Sequence, residues 1–486
     1  MKNTVLQGAA HAIEAARRLA LHSDRVSALL HTEAAQPFLE QAGRLRARAV
    51  RAKAETCCPA WRAFCAQEGW AAPVTTKDNY VRMYEITARC YNGKLPARGV
   101  IDESSGSSGT PNQWVRGPHD RGDIKAVLQS HFRQTFGNDS DRILLNCFAL
   151  GPWATRLNVT SSLADVGVMK SIGPDAAKLE STLRTFGPTY RYIVFGYPPF
   201  LKDFFDKTAL DLTAYHLDLV VGGEGMSEAV RDGLLRMCRS VVSSYGASDL
   251  DINIGLETPF TIALRRVCAH DAALCYALFG RDRPPMIFQY NPLDYVIESL
   301  PGGELAFTVT RFGSAAPKIR YNLHDLGGVC KYRDLMTYLA AKGICPDDLA
   351  RPRSALPFLY VWGRSDLSVA FYGAKVFPSD IEEVIAGDPT LARAVRSFQI
   401  KRDDGEQARL HIALEAEPEH LPAAPLLRDA FFAGLCRVNQ DFREVSRMFN
   451  AQSLEVAVYA EQTGPFANRD IRIKNRYVAD DSVMRG

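Results

Sequence analysis

The 486-residue chain has no apolar run long enough to cross a bilayer as a helix, which predicts a protein without a membrane span. Its opening residues, Met1-Lys2-Asn3-Thr4-Val5, lack the apolar stretch of a signal peptide, so a cytoplasmic protein is expected. Charge of one sign is not in excess. With 58 Lys and Arg against 55 Asp and Glu, the net charge of +3 points to neither nucleic acid nor an anionic membrane as partner. The 11 cysteines are odd in number and scattered, which suits reduced thiols rather than a disulfide framework. Cys57-Cys58 read as buried apolar residues. Cys268, His270 and Cys275 have ligand-type side chains but no second close pair, so a structural role is favoured over zinc. A phosphotransferase P-loop is also missing, because Asn112 rather than lysine follows Pro111.

What is present is ordinary in bulk. Hydrophobic residues make up 47% and charged residues 23%, as in globular proteins, and the length calls for more than one core. Residues 10–56 carry apolar positions at helical spacing, and Arg44, Arg46, Arg48, Arg51 and Lys53 look like a solvated helix face. A second helical piece is expected around Lys77 to Ala88. From 120 to 250, strand-like runs (Ile143–Leu145, Tyr192–Phe195, Leu217–Val221) alternate with helical patterns, among them Glu228 to Ser240, which predicts a largely parallel sheet. Ligand sites of such sheets gather at the carboxyl ends of strands, here the loops at Gly196-Tyr197, Gly222-Gly223-Glu224-Gly225 and Tyr245-Gly246-Ala247-Ser248-Asp249. From 285 to 365 the pattern turns β-rich. Beyond Gly363 a strand-helix-strand-strand-helix-strand order predicts a small α+β unit. The expected fold is therefore α/β: a large domain of layered mixed sheets and helices over 1–364, with 1–95 helical, and a small α+β domain over 365–486.

The stretch that organises this pattern is Ser104-Ser105-Gly106-Ser107-Ser108-Gly109-Thr110-Pro111. Glycines and small hydroxyls let successive N–H groups converge on a phosphate, although Gly/Ser runs also serve as flexible linkers. Four later motifs stand in register with it. They are Tyr245-Gly246-Ala247-Ser248-Asp249; Arg320-Tyr321-Asn322-Leu323-His324-Asp325-Leu326; Gly363-Arg364-Ser365-Asp366; and Gly373-Ala374-Lys375-Val376-Phe377-Pro378. Together with Val74-Thr75-Thr76-Lys77-Asp78, this order resembles the adenylate-forming enzymes, in particular their phenylacetate–CoA ligase-like branch.

The resemblance implies ATP-dependent activation of a carboxylic acid to an acyl-adenylate, then transfer to a thiol, with ATP, Mg2+ and CoA as cofactors. An amine or a carrier-protein thiol is the alternative acceptor, and a catalytically silent nucleotide-binding relative is the other reading. A homodimer is left open. In this resemblance Ser104 to Thr110 cradle phosphates, while Gly223, Glu224, Tyr245 and Gly246 line the nucleotide. Asp325 holds the ribose, Arg364 donates to sugar or phosphate, and Asp366 is the hinge of a mobile C-terminal domain. Asp249 stands where the family places a magnesium-holding glutamate, and His324 where it often has glycine. The Gly-Lys-x-x-Arg signature of the tail is absent. A strict match puts Arg469 in the lysine slot, whereas Lys474 is the sole lysine after Lys401. A compact ammonium suits a crowded phosphorus better than a guanidinium fork, so Lys474 is preferred as the adenylation cation. Phe148, Trp153, Tyr197 and Gly222 are the candidate acid pocket, and their aromatic character suits an aryl or hydrophobic acid.

Overall fold

A computed structural model describes residues 2–71, 73–104, 112–138, 141–149, 154–346, 348–372, 374–403, 409–446, 450–467 and 477–478. Four helices open the chain: Lys2–Leu21, Asp24–Leu30, Gln36–Cys57 and Pro59–Glu68. A hairpin of β1 (Val100–Glu103) and β2 (Gln113–Arg116) follows. The main sheet then takes eleven strands: β3 (Arg142–Asn146), β4 (Val168–Ser171), β5 (Arg191–Gly196), β6 (His216–Gly222), β7 (Ser240–Ala247), β8 (Asp251–Leu256), β9 (Met286–Tyr290), β10 (Tyr295–Ser299), β11 (Glu304–Val309), β12 (Tyr321–Cys330) and β13 (Phe358–Arg364). Their spatial order is β10-β11-β12-β13-β9-β8-β7-β6-β5-β3-β4. The pairs from β4 through β7 are parallel and the rest antiparallel, so the sheet changes sense between β7 and β8. Strand β3 is buried along its whole length, as a strand covered by helices on both faces must be.

A separate core lies beyond residue 368. A hairpin of β14 (Val369–Phe371) and β15 (Ala374–Val376) leads to a three-stranded sheet of β16 (Val395–Asp403), β17 (Arg409–Ala416) and β18 (Leu454–Tyr459). Helices Pro378–Ala386 and Ala424–Val438 bury Ile381, Val384, Leu427, Phe431 and Leu435 in the same apolar cluster as Ile400, Ile412 and Leu454.

Three local expectations are corrected. The basic face of helix Gln36–Cys57 is not solvated throughout. Arg44 faces water, but Arg46 is fully buried and donates to the Leu293 carbonyl at 2.7 Å and to Glu14. Lys53 donates to the Phe312 carbonyl at 2.8 Å and sits 3.8 Å over the Tyr91 ring. With Arg17, which contacts Glu14, Asp123 and Asp294, these cations latch the N-terminal helices onto the sheet. Burying a guanidinium is tolerable only when carboxylates and carbonyls offset its lost hydration.

Within residues 77–88 the helix is a single wide turn, Lys77–Val81, and does not continue to Ala88. Backbone pairing of Thr75 with Tyr321 and burial of Tyr80 against Trp61 and Phe64 override the helical pattern. The helix from Glu228 stops at Leu235, and Ser240 opens β7 instead, where β-branched Val241 and Val242 pair beside β6.

The start of β7 is held by a buried ion pair. Arg231 Nη2 lies 2.7 and 2.8 Å from the two Glu257 oxygens, and the Ser243 N–H donates to Glu257 at 2.7 Å. Both side chains are about 1% exposed. Removing one partner of such a pair strands the other, at a cost of about 3–5 kcal/mol. Glu257→Ala should therefore shift the urea midpoint sharply downward at neutral pH, whereas an unchanged midpoint would show the pair to be dispensable.

Candidate active site

Strands β3, β5, β6 and β7 end together, and their outgoing loops bring the predicted residues to one edge of the sheet. Asn146, fully buried, shapes the first loop by donating to Thr160 Oγ1 at 2.8 Å and accepting the Phe148 N–H at 3.1 Å. Phe148 meets Tyr197 edge-on, with centroids 5.1 Å apart. Gly222 lies under the Phe148 ring, and Gly223 has a φ of +86°, a conformation that favours glycine. These residues line a cavity of about 1050 Å³, measured out to its open mouth. Its apolar wall is made by Phe132, Phe136, Val159, Phe195, Val220 and Val242. Burial, aided by the charge of Glu224, pushes the Tyr197 phenol well up, so it stays a neutral donor. Trp153 lies outside the described residues.

The same cavity runs to Gly246, Ala247 and Ser248, where the second cluster begins. A side chain at Gly246 would place its Cβ 2.0 Å from the Ile252 carbonyl, so β7 and β8 can approach here only through glycine. Tyr245 donates to Asp325 Oδ2 at 2.5 Å, and its ring has Phe288 and Phe307 as neighbours. Burial and the Asp325 carboxylate hold the Tyr245 phenol protonated, well above its ordinary range. Asp325 stands opposite Arg364 in the β12–β13 register, so Tyr245, Asp325 and Arg364 meet. His324 adopts a φ of +66°, and this explains why glycine would be at home there. Its N–H donates to Asn322 Oδ1 at 2.7 Å, and its ring lies 3.3 Å from Glu304.

Asp249 is 2% exposed. Its Oδ2 accepts the Tyr321 hydroxyl at 3.0 Å and lies 3.1 Å from Lys77 Nζ. Arg116 donates to the Ser248 carbonyl at 2.7 Å and Lys318 donates to the Leu250 carbonyl, so cations hold the backbone on both sides of Asp249. Burial and the neighbouring Arg116 push the Lys318 ammonium down to about 7. Lys77, Tyr321 and Lys318 were assigned no role from sequence, and Arg116, which its place after the hydroxyl loop suggests as a phosphate ligand or a solvated side chain, is 1% exposed and pairs with Asp102. The signal available was the Thr75–Asp78 segment, whose docking beside Tyr321 delivers Lys77 to the carboxylate.

Ser104 closes the neck of the hydroxyl loop. Its N–H donates to the Asn112 carbonyl at 2.9 Å, and its Oγ accepts the Asn112 N–H at 3.1 Å. Ser105, Gly106, Ser107, Ser108, Gly109 and Thr110 lie outside the described residues, as do Arg469 and Lys474. Among the described residues no group of three or more His, Cys, Asp or Glu could hold a metal ion. A hard cation here would rest on Asp249 together with phosphate oxygens, a donor set that suits Mg2+. Cys268 and Cys275 are buried side by side, and His270 turns to the Arg266 carbonyl at 2.8 Å.

The C-terminal core docks beside this edge. Arg283 bonds Asp380 and Ser379, and Arg443 lies 2.9 Å from Asp282. The Tyr477 hydroxyl donates to Glu224 at 3.1 Å. Glu382 faces Glu224, with Arg283, Glu383 and Tyr477 around it; burial first, then the Glu224 charge, push it up to about 8 from 4.5. Freed of this burial and of Glu224, Glu382 would return towards 4.5, so docking should take up a proton between those two values. The docked arrangement should therefore weaken as pH rises from 5 towards about 8. Glu382→Gln should flatten the dependence, as read by energy transfer between dyes on the two cores.

No family model matches the sequence, and no curated protein matches it. Solved structures do. The 2-hydroxyisobutyryl-CoA ligase in its postadenylation state, in complex with R3-HIB-AMP, overlays with a TM-score of 0.65 at 14% identity, covering 91% of this chain and 90% of that one. The chain has the fold of that ligase. The same ligase in its thioesterification state, with 2-HIB-AMP and CoA, gives a TM-score of 0.52 at 15% identity over 91% and 89% of the two chains. The overlay is thus better on the postadenylation form. The shared fold matches the α/β architecture with a C-terminal α+β unit that the sequence predicts.

Proposed function

We propose that this protein activates a carboxylic acid with ATP, forming an acyl-adenylate and pyrophosphate, and then passes the acyl group to a thiol. The carrying observation is the continuity of the apolar cavity with the Tyr245–Asp325–Arg364 and Asp249–Lys77 clusters through Gly246 and Ser248. An acid in the cavity is thereby set beside groups suited to a ribose and a polyphosphate. In the first step a carboxylate oxygen attacks the α-phosphorus and the bond to pyrophosphate breaks. In the second, a thiolate attacks the acyl carbon and AMP leaves.

Each residue has a physical task in this reading. Asp325 accepts both ribose hydroxyls, and Arg364 donates to the sugar or a phosphate. The loop from Ser104 to Thr110 carries the departing phosphates. Lys77 pairs with Asp249, and Asp249 would hold Mg2+, which supplies charge neutralisation between phosphate oxygens when bound. Phe148, Tyr197 and Gly222 shape the acid pocket, with Glu224 and Gly223 at its rim. Lys474, rather than Arg469, bridges the acid and the α-phosphate. CoA is the expected thiol, in line with the solved ligase bound to CoA. An aryl or hydrophobic acid fits the lining.

The test is acid-dependent exchange of labelled pyrophosphate into ATP. Exchange with release of AMP supports the reading. No exchange with any aryl or aliphatic acid leaves a nucleotide binder without this chemistry. Products then decide the acceptor: a thioester for CoA or a carrier protein, an amide for an amine.

We further read 365–486 as a domain that swings about Asp366 between the two half-reactions. The helical turn Ser365–Leu367 directly after β13 is where φ and ψ would change. Asp366→Pro should spare exchange and block thioester formation. Wild-type thioester yield from that variant would argue against rotation at this point.

A further inference from the structure

One wall of the cavity is not apolar. His131, on helix Pro118–Phe136, and Asn253, on β8, both line it among phenylalanines and aliphatic residues. Asn253 Nδ2 and His131 Nδ1 are 3.0 Å apart, so the amide donates to the ring and leaves the imidazole proton on Nε2. Asn253 is 7% exposed, yet its carbonyl Oδ1 has no hydrogen-bond partner among the described residues. An amide oxygen buried without a partner costs about 1–3 kcal/mol. Such a group calls for an explanation, and a ligand that completes it supplies one. Burial holds His131 below its ordinary pKa, against the opposing pull of Asp294, so the ring is neutral near pH 7. Among the described residues the pair therefore keeps one unused donor, Nε2–H, and one unused acceptor, Oδ1. A hydroxyl group, which donates once and accepts twice, is the small complement to that pair.

Resting on the acid-activation reading above, we propose that the substrate is a hydroxyaryl acid whose ring fills the apolar cavity and whose hydroxyl lies against His131 and Asn253. The pair would act as a specificity determinant, separate from the groups that meet the reacting carboxylate. The aromatic ring is argued from Phe132, Phe136, Phe148 and Phe195, which favour a flat apolar body over a short aliphatic chain. Selection for the hydroxyl follows from the cost of leaving both polar groups unpaired when the parent acid binds.

The experiment is pyrophosphate exchange on the 486-residue protein with benzoate, phenylacetate and each of their ring-hydroxylated isomers. One hydroxylated isomer should exceed its parent acid in kcat/KM by about 10²-fold or more. His131→Leu/Asn253→Leu, which removes both polar groups together and keeps the wall apolar, should bring that ratio close to one by losing the hydroxylated acid while retaining the parent. Single His131→Leu should show a smaller loss, and thermal midpoints monitor folding. If parent acids exchange as well as hydroxylated ones, or if the double variant lowers all acids equally, the inference fails while acid activation stands. Equal loss would instead put the pair on the shared carboxylate. If no acid exchanges, acid activation itself fails and this inference with it.

Discussion

Asp325→Ala should lower kcat/KM for ATP about 100-fold, mostly through KM. Asp325 sits at the junction of β12 and β13, opposite Arg364 and bonded by Tyr245. A hydrogen bond to a charged group contributes about 1.5–3 kcal/mol, so a carboxylate gripping two ribose hydroxyls is worth about 3 kcal/mol, near a factor of 100. The sugar does not change during adenylation, so its contacts hold ground and transition states alike. Their loss is then felt in KM rather than kcat. Asp325→Asn, which keeps an acceptor but not the charge, should fall between. Titrating ATP in the exchange assay reads both constants. An Asp325→Ala enzyme with unchanged KM would place the ribose elsewhere, and the Tyr245–Asp325–Arg364 junction would then serve only to tie β7 to β12. The Tyr245 ring, freed of its partner, gives a control: Tyr245→Phe keeps the ring and should cost far less than Asp325→Ala.

Lys474→Ala should leave ATP affinity nearly unchanged and slow adenylation by about 10²–10³. This is the ~2.7–4 kcal/mol typical of a preorganised donor aimed at charge that develops in the transition state. The pattern is the reverse of Asp325→Ala, because in the proposed role the ammonium would meet the acid and the α-phosphate as they react. Single-turnover formation of acyl-AMP measures it. Arg469→Ala should lose much less, since a guanidinium fork crowds a phosphorus already surrounded by oxygens. Equal activity in Lys474→Ala would remove that lysine and promote Arg469. Thioester formation from supplied acyl-AMP should survive in Lys474→Ala, which separates the chemical role from a folding defect of the C-terminal core.

The residues that sequence could and could not reveal differ in kind. Tyr245, Asp249 and Asp325 sit in short motifs whose spacing is visible without coordinates, and the structure draws Tyr245 and Asp325 into contact. Phe148, Tyr197 and Gly222 were legible because loops after parallel strands gather at one edge. Lys77 was quoted in its motif but left without a task. Its partner Asp249 is far away in sequence, and only the backbone pairing of Thr75 with Tyr321 unites them. Arg46 and Lys53 were misread as a wet face, because helical periodicity records spacing and not which carbonyls a neighbouring loop presents. The helix from Glu228 was carried to Ser240, five residues past its end at Leu235, because Met237 keeps the helical spacing although its N–H already turns back to the Leu234 carbonyl.

By itself the amino-acid sequence determined the α/β class with its C-terminal α+β unit and the collinear motifs. These follow from local spacing, from turn chemistry and from where apolar residues recur. Tertiary structure alone decided which charges are buried and paired, which loops share a cavity, and that a histidine and an asparagine 122 positions apart form one polar spot in an apolar wall. Such pairings depend on crossings between elements distant in the chain, and the energy of a buried charge or amide is set by the few groups that reach it there.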